Sequence, residues 1–231
     1  MKQIVVLTGA GMSAESGIKT FRDDDGLWRS HRFEDLATPE AWQRNPQLVL
    51  DFYNERRKQL FEVAPNAGHI ALAKLENSFD VQIVTQNVDD LHERAGSKNV
   101  LHLHGELKKV RSTTNPSLVY TMDHWELKLG DVCAEGGQLR PHIVWFGEAV
   151  PNIGQAISLV KKADLLLVIG TSLQVYPAAS LIGYAPHGVP VVLIDPKASP
   201  ATHHLNLRII RQTAAVGVPV FVDELLHNLP A

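Results

Sequence analysis

Four apolar blocks, each running straight into glycine or a polar cluster, constrain the fold of this chain more than any other feature. Gln3 to Leu7 is followed by Thr8-Gly9-Ala10-Gly11, and Val81-Gln82-Ile83-Val84-Thr85 by Gln86-Asn87. Asp164 to Ile169 ends in Gly170-Thr171-Ser172, and Val189 to Ile194 in Asp195-Pro196. Apolar runs of this length read as strands covered on both faces, which occur in parallel sheets sandwiched by helices. Helical patterns lie between them, from Asn66 to Glu76 with Ile70, Leu72, Ala73 and Leu75 apolar, and near the end from Pro219 to Leu229. Strands alternating with helices predict an α/β fold on a doubly wound parallel sheet.

Two stretches interrupt the alternation. Leu27 to Phe61 reads as helices, with Asn45-Pro46 as cap and first-turn proline and with Leu48, Val49, Phe52 and Leu60 apolar. Lys108 to Pro141 reads as short strands and turns, punctuated by Asn115-Pro116 and Gly136-Gly137, with Trp125, Leu127 and Leu129 alternating. A chain of 231 residues suits one large domain carrying such insertions. Its 22 basic against 25 acidic residues form no basic track, so no nucleic-acid partner is expected. The apolar blocks fall far short of the roughly 20 residues that span a bilayer, so no membrane partner is expected either. Thr8-Gly9 interrupts the first apolar run before a signal-peptide core can form, and a cytoplasmic location is the expectation. The single cysteine, Cys133, can form neither an internal disulfide nor a four-thiolate zinc site.

In open parallel sheets ligands gather beyond the carboxyl ends of the strands. The loop Gly9-Ala10-Gly11-Met12-Ser13-Ala14-Glu15-Ser16-Gly17 follows a buried strand there, and its glycines would let backbone amides approach a pyrophosphate. A tight strand-to-helix turn explains the same glycines, and Ala14 occupies the third position of the usual G-x-G-x-x-G spacing. Thr85-Gln86-Asn87-Val88-Asp89, Gly170-Thr171-Ser172 and Asp195 end the other strands, and convergence of these groups favours a dinucleotide. An acid at the end of a strand can hold ribose hydroxyls, although Asp195-Pro196 also suits a turn. In Leu101-His102-Leu103-His104-Gly105 alternation turns both histidines to one side, with glycine permitting close approach of a ligand to His104. A general base near neutral pH is thus available, whereas a packed role is the expectation for His102.

In order along the chain, Gly9 to Arg22, Thr85 to Asp89, His104-Gly105, Phe146-Gly147-Glu148 and Gly170-Thr171-Ser172 resemble the signatures of the sirtuin family of NAD-dependent protein deacylases. The resemblance covers nearly the whole chain. It implies a single catalytic domain over 1–231, with a Rossmann-type large part from 1–26, 66–107 and 142–231. A helical insertion, 27–65, and a β-rich one, 108–141, would make the small part, and NAD would meet an acyl-lysine protein or peptide in the cleft between. By position, Gly9, Ala10, Gly11, Ser13, Glu15, Ile18, Phe21, Arg22 and Trp28 would border NAD, as would Gln86, Val88, Gly170, Thr171, Ser172 and Asp195. Asn87 and Asp89 would line the nicotinamide pocket, and His104 would be the base that takes a proton from a ribose hydroxyl. The peptide would enter between Val144-Trp145-Phe146-Gly147-Glu148 and Leu173-Gln174-Val175-Tyr176-Pro177 as an added strand, touching Val144, Phe146, Gly147 and Val175. No obligate partner is implied, and a monomer is the expectation.

Tyr53 and Arg56 lie three apart on a predicted helix and share a face. Read alone, Tyr53 to Lys58 suits a solvated surface; within the family a Tyr-x-x-Arg pair here resembles the branch that removes succinyl, malonyl or glutaryl groups. A phenol and a guanidinium together suit a carboxylate, and desuccinylation beside deacetylation is the expectation. Two departures from the family pattern stand out. The cysteine pairs that bind structural zinc are missing, so the module is expected to be zinc-free and held by Leu118, Val119, Tyr120, Trp125 and Leu127. Leu193-Ile194-Asp195 stands where the family usually has Asn-x-Glu, which leaves the adenosine-side ribose to Asp195. A non-catalytic NAD or ADP-ribose sensor and a protein ADP-ribosyltransferase are the rival readings.

Overall fold

The computed structural model describes residues 1–18, 33–171, 175–198 and 206–228. In chain order the strands are β1 (Gln3–Thr8), β2 (Asp80–Thr85), β3 (Val100–His102), β4 (Gly105–Ser112), β5 (Val119–Thr121), β6 (Leu139–Ile143), β7 (Leu165–Ile169), β8 (Val191–Ile194) and β9 (Leu207–Ile210). The α-helices are α1 (Phe33–Leu36), α2 (Pro39–Arg44), α3 (Pro46–Glu62), α4 (Ala67–Leu75), α5 (Leu91–Arg94), α6 (Ile153–Val160) and α7 (Ala214–His227). The four apolar blocks become β1, β2, β7 and β8, inside a parallel sheet ordered β3-β2-β1-β7-β8-β9.

Successive residues of these strands face opposite layers, which is why their sequences are apolar without a break. Ile4, Val6, Ile83, Leu167 and Ile169 pack under Leu72 and Leu75 of α4 and Val218, Phe221 and Val222 of α7. Val5, Leu7, Leu166, Val168 and Leu193 pack under Ala156 and Val160 of α6 and Leu181. The edge strand β9 escaped the sequence reading because it is short, only partly buried, and interrupted by the exposed Arg208.

The expected final helix from Pro219 needs correction. It begins at Ala214, with Pro219 inside it at the loss of one backbone hydrogen bond. Its cap comes from far away in sequence, since the Glu15 carboxylate accepts from Thr213 Oγ1 at 2.9 Å and from the Ala215 amide at 2.7 Å. The cap at Asn45 is as expected: its side chain accepts from the Leu48 amide, and Pro46 opens α3.

A second, antiparallel sheet, β5-β4-β6, stands apart from the first. Trp125 to Leu129 is not a strand, and the expected apolar set does not hold this module together. Val119, Tyr120 and Trp125 are exposed, and only Leu127 of that set is buried; its companions are Leu50, Val110 and Met122. The reason lies in α3. Asn54 receives the Leu127 amide and donates to the Leu127 carbonyl, both at 2.9 Å. Arg57, fully buried, donates to the carbonyls of Leu107 and Trp125 at 2.7 Å. The polar run Tyr53 to Lys58 is therefore half inside, because residues three apart on α3 bolt the small sheet to the helix.

Between β5 and β6 the Gln138 side chain closes the loop. Its amide nitrogen donates to the carbonyls of Lys128, Asp131 and Leu139, and its oxygen accepts from the Gly130 amide. Cys133 is buried, with its thiol 3.2 Å from Ser112 Oγ. Among the described residues no group of three or more His, Cys, Asp or Glu is arranged to hold a metal ion.

Candidate active site

The strand order reverses between β1 and β7: one branch of the chain builds outward through β2 and β3, the other through β8 and β9. At that switch point the loop after β1 crosses the loop after β7, which is where open α/β sheets bind ligands. The crossing is backbone on backbone. Gly9 N–H donates to the Ile169 carbonyl and Gly11 N–H to the Gly170 carbonyl, while the amides of Met12 and Ser13 close 3₁₀ turns on Gly9 and Ala10. A side chain at Gly170 would place its Cβ 2.3 Å from the Met12 nitrogen, at a φ of +60°. These glycines thus first permit one loop to lie on another, and the expected regular helix after them is replaced by two 3₁₀ turns, Ala10–Met12 and Ala14–Ser16. Asn66, which caps α4, ties the loop down from below by donating to the Met12 carbonyl and Ser16 Oγ.

Ser13, Asn87 and Asp89 meet beneath this crossing. Ser13 Oγ donates to Asp89 Oδ2 at 2.9 Å and accepts from Asn87 Nδ2 at 3.1 Å, and all three are buried. Burial raises the Asp89 pKa against the opposing bonds from Ser13 and the Leu91 amide. Gln86 Nε2 donates to Thr171 Oγ1 at 3.2 Å, bridging the β2 and β7 loops. Val88 and Ile18 pack against an apolar cluster that includes Phe52, Tyr53 and Leu60 of α3 and Trp145.

The two histidines two residues apart divide into opposite charge states. His104 Nδ1 can only donate to the Gln86 carbonyl, 3.1 Å away, so in the neutral ring the Nε2 lone pair is bare. Burial lowers its pKa, with the Gln86 bond opposing, and the ring is neutral at pH 7. His102 has acceptors on both sides, the Asn87 carbonyl at 3.0 Å and Glu93 Oε1 at 2.8 Å. Burial works against its charge, but the Glu93 carboxylate outweighs it and lifts the pKa. His102 is a packed, paired cation, and His104 alone carries a proton acceptor.

A chain of hydroxyls below the site escaped the sequence reading. Thr8 Oγ1 donates to Thr85 Oγ1 at 2.8 Å, Thr85 Oγ1 also accepts the Asn87 amide, and His92 Nε2 donates to Thr8 Oγ1 at 3.2 Å. His69 lies against His92, ring centroids 4.9 Å apart, and each ring leaves one buried nitrogen without a partner. Burial pulls the His69 pKa from 6.5 down to about 4 and holds His92 well below 6.5. Such groups stabilise the fold above the unfolded pKa and withdraw that stability as pH falls from 6.5 toward 4. From His69 alone, urea denaturation at pH 5 should give a stability about 2 kcal/mol below that at pH 7. A flat profile between those pH values would contradict the neutral pair.

Around α3 the second half of the site takes shape. Tyr53 is buried, its hydroxyl accepting from Trp145 Nε1 at 3.1 Å, and burial drives its pKa to about 12 despite the nearby Arg56. Arg56, half-buried, has its guanidinium 5.5 Å from the Phe52 ring centroid. Phe146 and Gly147 are exposed and Val144 half-buried, and Val175 is exposed. The amides of Val144, Phe146 and Glu148 donate to the carbonyls of His104, Ala37 and Trp145. Asp195 forms a turn, its Oδ1 accepting from the Lys197 amide at 2.7 Å. Glu15 is engaged with α7, and Ala10 is exposed at the crossing. Phe21, Arg22, Trp28 and Ser172 lie outside the described residues.

Residues 9–177 match the family described as the Sir2 family. A curated relative from Helicobacter pylori, named NAD-dependent protein deacylase, is 58% identical over 229 residues, covering 98% of this chain and 99% of its own. Among solved structures, a Sir2 homologue in complex with NAD is 41% identical with a TM-score of 0.90, covering 99% of this chain and 91% of its own. A Sir2 protein with a p53 peptide and NAD+ is 31% identical with a TM-score of 0.80, covering 97% and 92%. The chain belongs to the Sir2 family.

Proposed function

We propose that this chain, an NAD-dependent protein deacylase by its family and its relatives, acts as a monomer and removes succinyl as well as acetyl groups from lysine side chains, with Tyr53 and Arg56 reading the distal carboxylate. One observation carries the succinyl reading: two hydrogen-bond donors, Tyr53 and Arg56, lie three residues apart on α3 and are electrostatic neighbours. Trp145 can only donate, so Tyr53 must accept from it and keeps its own O–H to give. Among the described residues Arg56 forms no hydrogen bond to any acceptor. A buried phenol held in its donor form beside a guanidinium without a hydrogen bond among the described residues suits a carboxylate.

The residues present also fit NAD. The backbone crossing at the switch point and the polar cluster Ser13, Asn87 and Asp89 converge where a dinucleotide binds in sheets of this order. NAD supplies a sugar carbon made electrophilic by its nicotinamide leaving group. An amide oxygen is a weak nucleophile, so the chain's first task is alignment, with the acyl oxygen held in line and water kept out. Asn87, polarised through Ser13 and Asp89, orients the nicotinamide amide. His104 Nε2 then accepts the proton of a ribose hydroxyl, and its Nδ1–H stays on the Gln86 carbonyl throughout. A peptide along Val144 to Gly147 is matched mainly by carbonyls of that edge, since its amides at Val144 and Phe146 are spent.

With NAD and one peptide carrying either acetyl- or succinyl-lysine, both peptides should be deacylated, each with one nicotinamide released per lysine freed. Turnover of the acetyl peptide alone would remove the carboxylate reading. An unchanged peptide would favour the sensor, and a peptide gaining ADP-ribose the transferase.

A further inference from the structure

We infer that Trp145 is a positioning residue for acyl selectivity: its indole N–H holds the Tyr53 hydroxyl as an outward donor, and thereby tunes the site toward carboxylate-bearing acyl groups. The inference rests on the carboxylate reading of Tyr53 and Arg56 and assigns the group that sets that receptor's polarity.

A tyrosine hydroxyl can donate or accept, and left alone it does either. An acetyl group ends in a methyl and asks nothing of it; a succinyl group ends in an anion and needs a donor. Trp145 removes the ambiguity, because an indole N–H has no acceptor capacity and lies 3.1 Å from the Tyr53 oxygen. With that lone pair occupied, the Tyr53 hydrogen is directed elsewhere.

The indole is itself clamped. Arg140 lies on its face, 3.3 Å from the ring centroid, and Trp42 packs at 5.8 Å. Glu148 fixes the clamp, accepting from Arg140 Nη1 at 2.7 Å, from Arg140 Nη2 at 3.1 Å and from the Trp145 amide at 2.8 Å. Arg111 adds a further bond to the same carboxylate at 3.2 Å. Trp145 is 2% exposed, so its side chain serves Tyr53 from behind and does not line the peptide edge itself. Sequence alone places Trp145 in the loop entered by the peptide; only the fold brings it 92 positions back to Tyr53.

Trp145→Phe keeps a ring face for Arg140 and removes the N–H. Measured beside Tyr53→Phe and the double variant, it should raise KM for a succinyl-lysine peptide about two- to tenfold more than KM for the acetyl-lysine peptide. In the Tyr53→Phe background Trp145→Phe should add no further selectivity, because both act through one hydroxyl. An equal rise in both KM values, or full additivity of the two substitutions, would overturn the inference. Arg56→Met separates this from the underlying reading: a selective succinyl defect there beside an unselective one in Trp145→Phe would defeat only the role of Trp145. If Trp145→Phe does not fold, the indole N–H resonance of the native protein decides. It should shift when succinyl-lysine peptide is added and stay in place with acetyl-lysine peptide; the same response to both would refute the coupling.

Discussion

Replacing His104 with alanine should lower kcat for deacylation by about 10²- to 10⁴-fold, the usual contribution of a general base. Calorimetry should find NAD still bound, because the switch-point crossing and the Ser13, Asn87 and Asp89 cluster do not depend on the ring. Tautomer and charge make His104 the base. The Gln86 carbonyl fixes the proton on Nδ1, and burial keeps the ring neutral, so an open Nε2 is ready at pH 7. Protonation in acid fills that lone pair. In the native enzyme kcat/KM should therefore rise with pH through a midpoint below 6.5 and level off before neutrality. A loss of less than tenfold, or an acid limb above pH 6.5, would show that another group takes the proton. His102 cannot substitute for it, since both its nitrogens are spent on the Asn87 carbonyl and Glu93.

Arg56→Met should separate the two acyl groups. Hydrogen bonds to charged groups contribute about 1.5–3 kcal/mol, and each 1.4 kcal/mol is tenfold, so kcat/KM for a succinyl-lysine peptide should fall about 10- to 150-fold. The acetyl-lysine peptide offers no carboxylate and should be turned over within a few-fold of the native rate. Methionine keeps an unbranched side chain of similar length on α3 and removes the guanidinium that lies 5.5 Å from the Phe52 ring centroid, so the acetyl-lysine peptide serves as the control for any packing loss. Parallel losses on both peptides would mean that Arg56 supports α3 and reads no substrate.

Much of the central sheet was legible because a parallel strand buried on both faces leaves a continuous apolar signature, as in β1, β2, β7 and β8. The cap at Asn45 was legible for a local reason, since its side chain bonds the amide three residues on; Asn66, read only as the start of a helix, caps α4 in the same local way. What failed depended on partners distant in sequence. Glu15 caps a helix some 200 positions away, and without that partner α7 reads as starting at its proline. The alternation at Trp125, Leu127 and Leu129 resembled a strand, yet Asn54 and Arg57 draw that segment onto α3 instead. Sequence put His102 and His104 on one side of an extended segment, with His104 expected as the base and His102 as a packed residue, but it carried nothing on their charge states. Glu93 and the Gln86 carbonyl make that distinction, and both are set by the fold.

A crystal structure of His104→Ala grown with NAD and a succinyl-lysine peptide tests the whole arrangement at once. The nicotinamide-bearing ribose should lie beside residue 104 with Asn87 on the nicotinamide amide, and the succinyl carboxylate should sit between Tyr53 Oη and the Arg56 guanidinium. A dinucleotide bound away from the β1–β7 crossing, or a succinyl carboxylate turned to solvent while Arg56 stays unengaged, would contradict the account.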